Sequence, residues 1–312
     1  MLFTWTNKIV ENNNRFIWFK KWIIGKQTLE YISQESGYSK RTLQKYFKYF
    51  LNKPPAFVIP QKEEVHLLID GTYFTNDICL VVYRNNDIKC TQLYRISHSE
   101  AYQEIIEDLN NLKCLGIRVS SITCDGHRAL LKAVKKVFKN DIIVQRCVVH
   151  IQRSARLWLT KAPKNIPSQE LLQIVYAISK VKSEFDRQTW LKALYDWDIK
   201  HQEYLKQKSI NLATGRMWYT HKFVRRARYL LVKAFPNMFH YLYDKAIPKS
   251  TNGLESFFGH LKDNLSIHRG LTLNHRKNFI KWYLHFRNEQ VSFTRLNEHS
   301  QLIEKGEIKS RL

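Results

Sequence analysis

Three acidic residues stand at positions that could do chemistry together. Asp70 closes the apolar run "EVHLLID", Asp125 closes "IRVSSITCD", and Glu255 lies inside "KSTNGLESFFGHLKDNL". Oxygen ligands converging in a basic protein suit Mg²⁺ or Mn²⁺, hard cations that bind through a few carboxylates, water and the phosphate oxygens of a substrate. Each acid also has a plainer explanation. Asp followed by Gly is a common turn, so either aspartate alone can simply mark a strand end. Asn252 and Glu255 have the N-cap to N3 spacing of a capping box. The pair of aspartates is harder to dismiss. If their strands are parallel neighbours, both carboxylates emerge at the carboxyl-terminal sheet edge, where α/β sheets place ligands.

The elements needed to hold those acids can be read from hydrophobic periodicity. "EVHLLIDGTYF" is a strand ending at Asp70, and "DICLVVYRNNDIKCTQLYRI" is two strands about an "RNND" turn. Tyr102, Ile105, Ile106, Leu109 and Leu112 recur at helical spacing up to Gly116, after which "IRVSSITCDG" is a strand. An amphipathic helix, "HRALLKAVKKVF", and a fifth strand, "DIIVQRC", complete a mixed α/β sheet with flanking helices. Leu254, Phe257 or Phe258, Leu261 and Leu265 form a stripe that would lie on this sheet, with Gly259 allowing close backbone approach. Residues 161–249 read as helices throughout, without a strand pattern.

The chain of 312 residues carries 51 Lys and Arg against 27 Asp and Glu, a formal charge of +24. Such an excess is the footprint of a protein that meets polyanions, since each phosphate neutralised releases a condensed counterion. No apolar run approaches about 18 residues, and the opening lacks the order of a signal peptide, so a soluble, cytoplasmic chain without membrane association is expected. Two stretches could carry nucleic-acid contacts. In "GKQTLEYISQESGYSKRTLQKYFKYFLNKPP", Gly37 suits a tight turn and Ser39 an N-cap. The second helix there presents Lys40, Arg41, Gln44 and Lys45 away from its apolar side. This resembles a helix-turn-helix unit, or an ordinary helical hairpin with a solvated basic face. "GRMWYTHKFVRRARYLLVK" interleaves Arg225, Arg226 and Arg228 with Trp218, Tyr219, Phe223 and Tyr229, a mixture suited to phosphates and stacked bases or to an amphipathic helix. Of the five cysteines, Cys79, Cys90 and Cys124 fall in apolar runs and read as buried hydrophobes.

Taken in order, "LLIDGTY", "ITCDGH", "QRCVVHIQR" and "STNGLESFFGHLK" resemble the motifs of DDE transposases with a ribonuclease H-like core, most closely the Mutator-like insertion-sequence group. The likeness spans roughly residues 65–285. It implies that Asp70, Asp125 and Glu255 hold two divalent ions, Mg²⁺ or Mn²⁺, for strand cleavage at element ends and strand transfer into a target. It implies a helical insertion before the last acid, and an accessory Cys-x-x-His matched by Cys147 and His150. A lone Cys-x-x-H lacks two zinc ligands. Cys147 therefore reads as a structural contact beneath the catalytic edge, with His150 contacting a phosphate or orienting the acids. The implied organisation is a helix-turn-helix region over 1–58, a catalytic domain over 62–160 resumed at 250–312, and a helical insertion over 161–249. Expected partners are double-stranded DNA, at element ends and target, and a second copy or more of the chain on that DNA. The expected location is cytoplasmic and nucleoid-associated. Lys262 joins the DNA-contact candidates. A metal-dependent nuclease or resolvase, and an inactive helix-turn-helix regulator, remain the alternatives.

Overall fold

The alternation in "EVHLLIDGTYF" divides its side chains between two cores. The computed structural model describes residues 14–56, 64–75 and 78–304. In it, strand β1 (Glu64–Phe74) sends Val65, Leu67 and Ile69 into one hydrophobic cluster and Leu68 into another. Its neighbour β2 (Ile78–Asn85) does the same, with Cys79, Val81 and Tyr83 on one side and Leu80 and Val82 on the other. The sheet is therefore buried on both faces, which explains why these strands read as nearly continuous apolar runs. With β3 (Thr91–Ser97), β4 (Arg118–Cys124) and β5 (Ile143–Arg146), the order is β3-β2-β1-β4-β5. Pairing is antiparallel for β1–β2 and β2–β3, and parallel for β1–β4 and β4–β5.

One face of the sheet is covered by α4 (Tyr102–Cys114) and α5 (Arg128–Phe138), whose Ile105, Leu109, Leu130 and Val134 complete the first cluster. The other face takes α11 (Asn252–Ser266) and α12 (Leu273–Glu304). Leu254, Phe257, Phe258, Leu261 and Leu265 are all buried there, so the α11 stripe lies on the sheet as its spacing predicts. The N-terminal helices join this same cluster. Phe19, Trp22 and Ile23 of α1 (residues 14–24) pack with Ile32 of α2 (Leu29–Ser36) and Leu43, Phe47 and Leu51 of α3 (Lys40–Leu51). Phe279, Tyr283 and Phe286 of α12 close over them. Between α2 and α3, Gly37 takes φ 74°, donating its N–H to the Ser33 carbonyl, while Ser39 caps α3 by accepting from the Thr42 N–H.

Two expectations are corrected. Strand β1 does not end at Asp70; the chain stays extended through Gly71 to Phe74, paired with β2 at every step. No turn forms at this Asp-Gly because the cross-strand ladder already satisfies the backbone. The region 161–249 is not all helical either. Helices α7 (Ile166–Ala177), α8 (Glu184–Lys200), α9 (Gln202–Lys206) and α10 (Lys222–Ala234) are joined by a ribbon of β6 (Lys208–Ile210) and β7 (Met217–Tyr219). Strands of three residues with mostly exposed side chains carry no alternation for the sequence to reveal. These helices pack with α6 (Val148–Leu159) around Trp190, Leu194, Trp197 and Leu231, a core of their own. No helix among the described residues is long and apolar enough to cross a membrane.

Candidate metal centre at the carboxyl-terminal sheet edge

The parallel register of β1 and β4 sets the two aspartates side by side. Leu68 pairs with Thr123 and Ile69 with Cys124, so Asp70 and Asp125 occupy the next step of adjacent strands. Ile69 and Cys124 both point into the α4/α5 core. Because side chains alternate along a strand, the aspartates face the opposite layer, that of α11. Helix α11 brings Glu255 to them, and α6 brings His150. One ligand atom each from Asp70, His150 and Glu255 lie within 4.8 Å of one another. Asp125 stands beside this trio with its Oδ1 accepting the His127 N–H at 2.7 Å, so its turn and any ligand role share one carboxylate.

Cys147 ties the three elements together. Its N–H donates to the Cys124 carbonyl at 2.7 Å, fixing the start of α6 to the end of β4. Its Sγ accepts the Thr251 N–H at 3.3 Å, with the Thr251 hydroxyl 3.5 Å from the sulfur and 3.3 Å from His150 Nδ1. Thr123 Oγ1 donates to the Pro248 carbonyl at 2.9 Å and Val148 N–H to the Lys249 carbonyl at 3.0 Å, which anchor the approach to α11. Replacing Cys147 with Ala therefore removes a buried acceptor shared by two helices. A loss of about 1–3 kcal/mol in unfolding free energy is expected, seen as a lower Tm in a thermal melt. Purified protein is expected to hold no stoichiometric zinc, since the sulfur is engaged by Thr251; one tightly held zinc per chain would contradict this role.

Glu255 is not a cap. Thr251, whose side chain makes no capping bond, holds the N-cap position, and Asn252 is already inside the helix. The Glu255 carboxylate instead receives Arg153 Nη1 at 2.8 and 2.7 Å and lies 3.6 Å from His150 Nε2. Arg153 follows His150 by three residues on α6, so both side chains address the same acid. That spacing was readable in "HIQR", although its target on α11 was not. Glu100 is a further acid that the sequence reading missed. A Cβ at Gly71 would fall 2.4 Å from Glu100 Oε1, so the glycine lets this carboxylate lie against β1 next to Asp70. His127 Nδ1 stands 3.9 Å from Glu100 Oε2. Gly126, at φ 87°, does the same for the Arg146 guanidinium, which would overlap a Cβ there and donates to the Asp125 carbonyl at 3.2 Å. Gly259, by contrast, admits no close approach: a Cβ there would meet nothing within 4 Å.

Burial pushes the Asp70 carboxyl up to about 7, partly offset by the charge of His150 and reinforced by Asp125. Burial, with Asp125 nearby, also raises Glu100 above the usual carboxylate range. His150 is lifted to about 9, first by its hydrogen bond to Cys147 and then, against the cost of burial, by the Cys147, Asp70 and Glu255 charges. The Cys147 thiol is pushed up by burial, but hydrogen bonds from His150 and Thr251 outweigh this and leave it below its ordinary value. A half-buried carboxylate that resists ionisation among other acids is an environment a divalent cation would relieve. The close group is two carboxylates and one imidazole, Asp70, Glu255 and His150, with the Asp125 carboxylate beside them; oxygen donors of this kind are the type that hard divalent cations prefer.

The matching stretch of a known family now bears on this edge. Residues 85–203 match the family model described as Transposase, Mutator family. This stretch, a little over a third of the chain, is similar to that family and supports a transposase role in general terms; it contains Asp125, Cys147, His150 and Arg153. Asp70 and Glu255 lie outside it, so their place beside the matched residues rests on the fold. No curated protein matches the chain significantly.

The basic candidates fare unevenly. Arg41, Gln44 and Lys45 are exposed on α3, whereas Lys40 is paired with Glu30. Arg225 donates to the Leu205 carbonyl at 2.6 Å and stacks 3.5 Å over Tyr219. Arg228 grips Asp198 at 2.8 and 2.5 Å. These two arginines brace the ribbon and α8 and are partly exposed, while Arg226 is exposed. Lys262 is exposed, its ammonium 5.6 Å from the Phe74 ring centroid.

Proposed function

We propose that this chain is a DNA transposase that uses Mg²⁺ or Mn²⁺, held by Asp70, Asp125 and Glu255, to cut a strand at an element end. The same centre then directs the freed 3′-hydroxyl at a target phosphodiester. The observation that carries this reading is the convergence of Asp70 and Glu255 within 4.8 Å from β1 and α11, with Asp125 directly after the last residue of β4, whose Cys124 pairs with Ile69. Three antiparallel strands followed by two parallel ones, with helices on both faces, support a ribonuclease H-like reading of the core. Two ions bound there would supply an activated water and stabilise the leaving 3′ oxygen.

The protein residues set the conditions. Asp70 would have to give up its proton to hold an ion, since burial raises that carboxyl to about 7. Glu255 would hold an ion in place of its present Arg153 partner, and Arg153, half-exposed, would then be free to face a substrate phosphate. His150, positively charged at neutral pH, offsets the crowding of acids and keeps Asp70 and Glu255 oriented toward each other. No protein nucleophile is required. Asp125→Asn is the direct test, because Asp125 stands outside the tight trio. Nicking of supercoiled plasmid in Mg²⁺ or Mn²⁺ is expected to fall by on the order of 10²–10³-fold, the scale of losing one preorganised charge from an active site. Parental nicking by this variant would reduce the centre to Asp70 and Glu255. Recovery of joined as well as cut products from the parent separates a transposase from a nuclease.

For end recognition, α2 and α3 across the Gly37 turn support a helix-turn-helix, with Arg41, Gln44 and Lys45 on its open face. Arg41→Ala with Lys45→Ala is expected to cost about 1–3 kcal/mol of discrimination per lost base contact. Competition between end DNA and random DNA measures it, and unchanged discrimination would rule the two side chains out as readers. The proposed oligomer of two or more copies on DNA follows from the need to hold paired ends.

A further inference from the structure

Past the carboxylates, β1 and α11 continue together and frame a groove of about 470 Å³. Its walls carry Tyr73, Phe74 and Thr75 from β1 and its end, Lys262 and Ser266 from α11, and two arginines, Arg269 and Arg276. No carboxylate lines it. The nearest acid on α11, Asp263, is held by Lys26 at 2.7 Å. Arg276 fixes the far wall, donating to Thr75 Oγ1 at 2.9 Å and the Arg269 carbonyl at 3.3 Å, and its buried Nε has no partner among the described residues. Lys262 and Arg269 are exposed, and Tyr73 is 54% exposed beside them.

The groove is in line with the acids. Glu255 and Lys262 are seven residues apart on one helix, close to two full turns, so they share a face and are separated by about 10 Å. Asp70 and Phe74 lie on the same side of β1, four residues or about 13 Å apart. We propose that this groove binds the phosphate backbone of the DNA strand that continues from the catalytic carboxylates, with Lys262 and Arg269 as its cationic contacts. For a strand whose duplex axis runs along the groove, at a rise of about 3.4 Å per nucleotide, the Lys262 contact falls about three nucleotides from the scissile phosphate. The position of that phosphate rests on the proposed function; the phosphate binding itself does not.

The test is a salt titration of DNA binding without divalent ions, read by fluorescence anisotropy with a labelled random-sequence duplex. Four proteins are compared: the parent, Lys262→Ala with Arg269→Ala, the charge-keeping Lys262→Arg, and a charge-matched pair, Lys135→Ala with Lys136→Ala, at the far end of α5 on the opposite sheet face. All four residues are exposed, so folding is preserved and is checked by thermal melts. Each lost phosphate contact lowers the slope of log Kobs against log salt by about 0.9. The groove pair is therefore expected to flatten the slope by nearly two, the α5 pair to leave it unchanged, and Lys262→Arg to keep the parental slope. A groove pair with parental slope, or equal flattening by both pairs, would overturn the proposal. Because the assay needs no cleavage, it stands or falls separately from the three-acid reading, which plasmid nicking decides.

Discussion

Glu255→Gln is expected to lower Mg²⁺- or Mn²⁺-dependent nicking by on the order of 10²–10³-fold while leaving the protein folded and bound to DNA. The amide keeps the shape of the side chain but cannot carry the negative charge a hard cation requires. Capping does not confuse the outcome, since the Glu255 side chain makes no bond to the helix N-terminus. The lost ion pair with Arg153, whose side chain is 53% exposed, is worth about 0–1 kcal/mol. DNA affinity is expected to hold or rise, because a carboxylate near the phosphate path has been neutralised and Arg153 released. Plasmid nicking, anisotropy and a thermal melt on one preparation decide the matter. A well-folded variant that nicks at the parental rate would remove Glu255 from the centre.

Asp70→Asn is expected to stabilise the protein above pH 7 when divalent ions are absent. In the folded chain the Asp70 carboxyl is raised to about 7, whereas in the unfolded chain it ionises near its ordinary 3.8. Between those values the folded state holds the extra proton. The stability contributed by the protonated form is complete below 3.8 and is lost as pH climbs through 7. Asparagine has no such loss, so the variant's Tm advantage is expected to grow from pH 4 to pH 8 and then level. Divalent ions reverse the ranking. Mn²⁺ is expected to raise the parental Tm by mass action, by the equivalent of about 2.7 kcal/mol at a hundredfold excess over Kd, and to leave Asp70→Asn nearly unmoved. Equal Mn²⁺ stabilisation of both proteins would place the ion elsewhere.

Most of the sheet was legible because β1 and β2 are buried on both faces and their apolar runs are long. The neighbouring, parallel placement of β1 and β4 followed from asking where two Asp-Gly strands could meet. The helix around Glu255 was legible from its stripe, but its N-cap shifted from Asn252 to Thr251. Thr251 is drawn into that position by Cys147 and His150, partners a hundred residues upstream that local spacing cannot show. Glu100 and Arg153 were hidden for the same reason. Their roles come from tertiary approach across Gly71 and from α6 to α11, whereas periodicity reports only which face of each element is buried.

The cluster that joins α1, α2 and α3 to the sheet, α11 and α12 has a consequence for how the chain folds. Phe19 and Phe286 touch, with ring centroids 6.2 Å apart, yet they are separated by most of the polypeptide. During synthesis the first three helices emerge long before the segment that covers them. Until α12 arrives, Phe19, Trp22, Leu43 and Phe47 lack much of their core, and contacts of such long sequence separation form late and slowly. Glu255 sits in the segment that closes this cluster, so the carboxylates are assembled only as the whole molecule is completed. A nascent or truncated chain can therefore expose its basic helices to solvent before Asp70, Asp125 and Glu255 have been brought together.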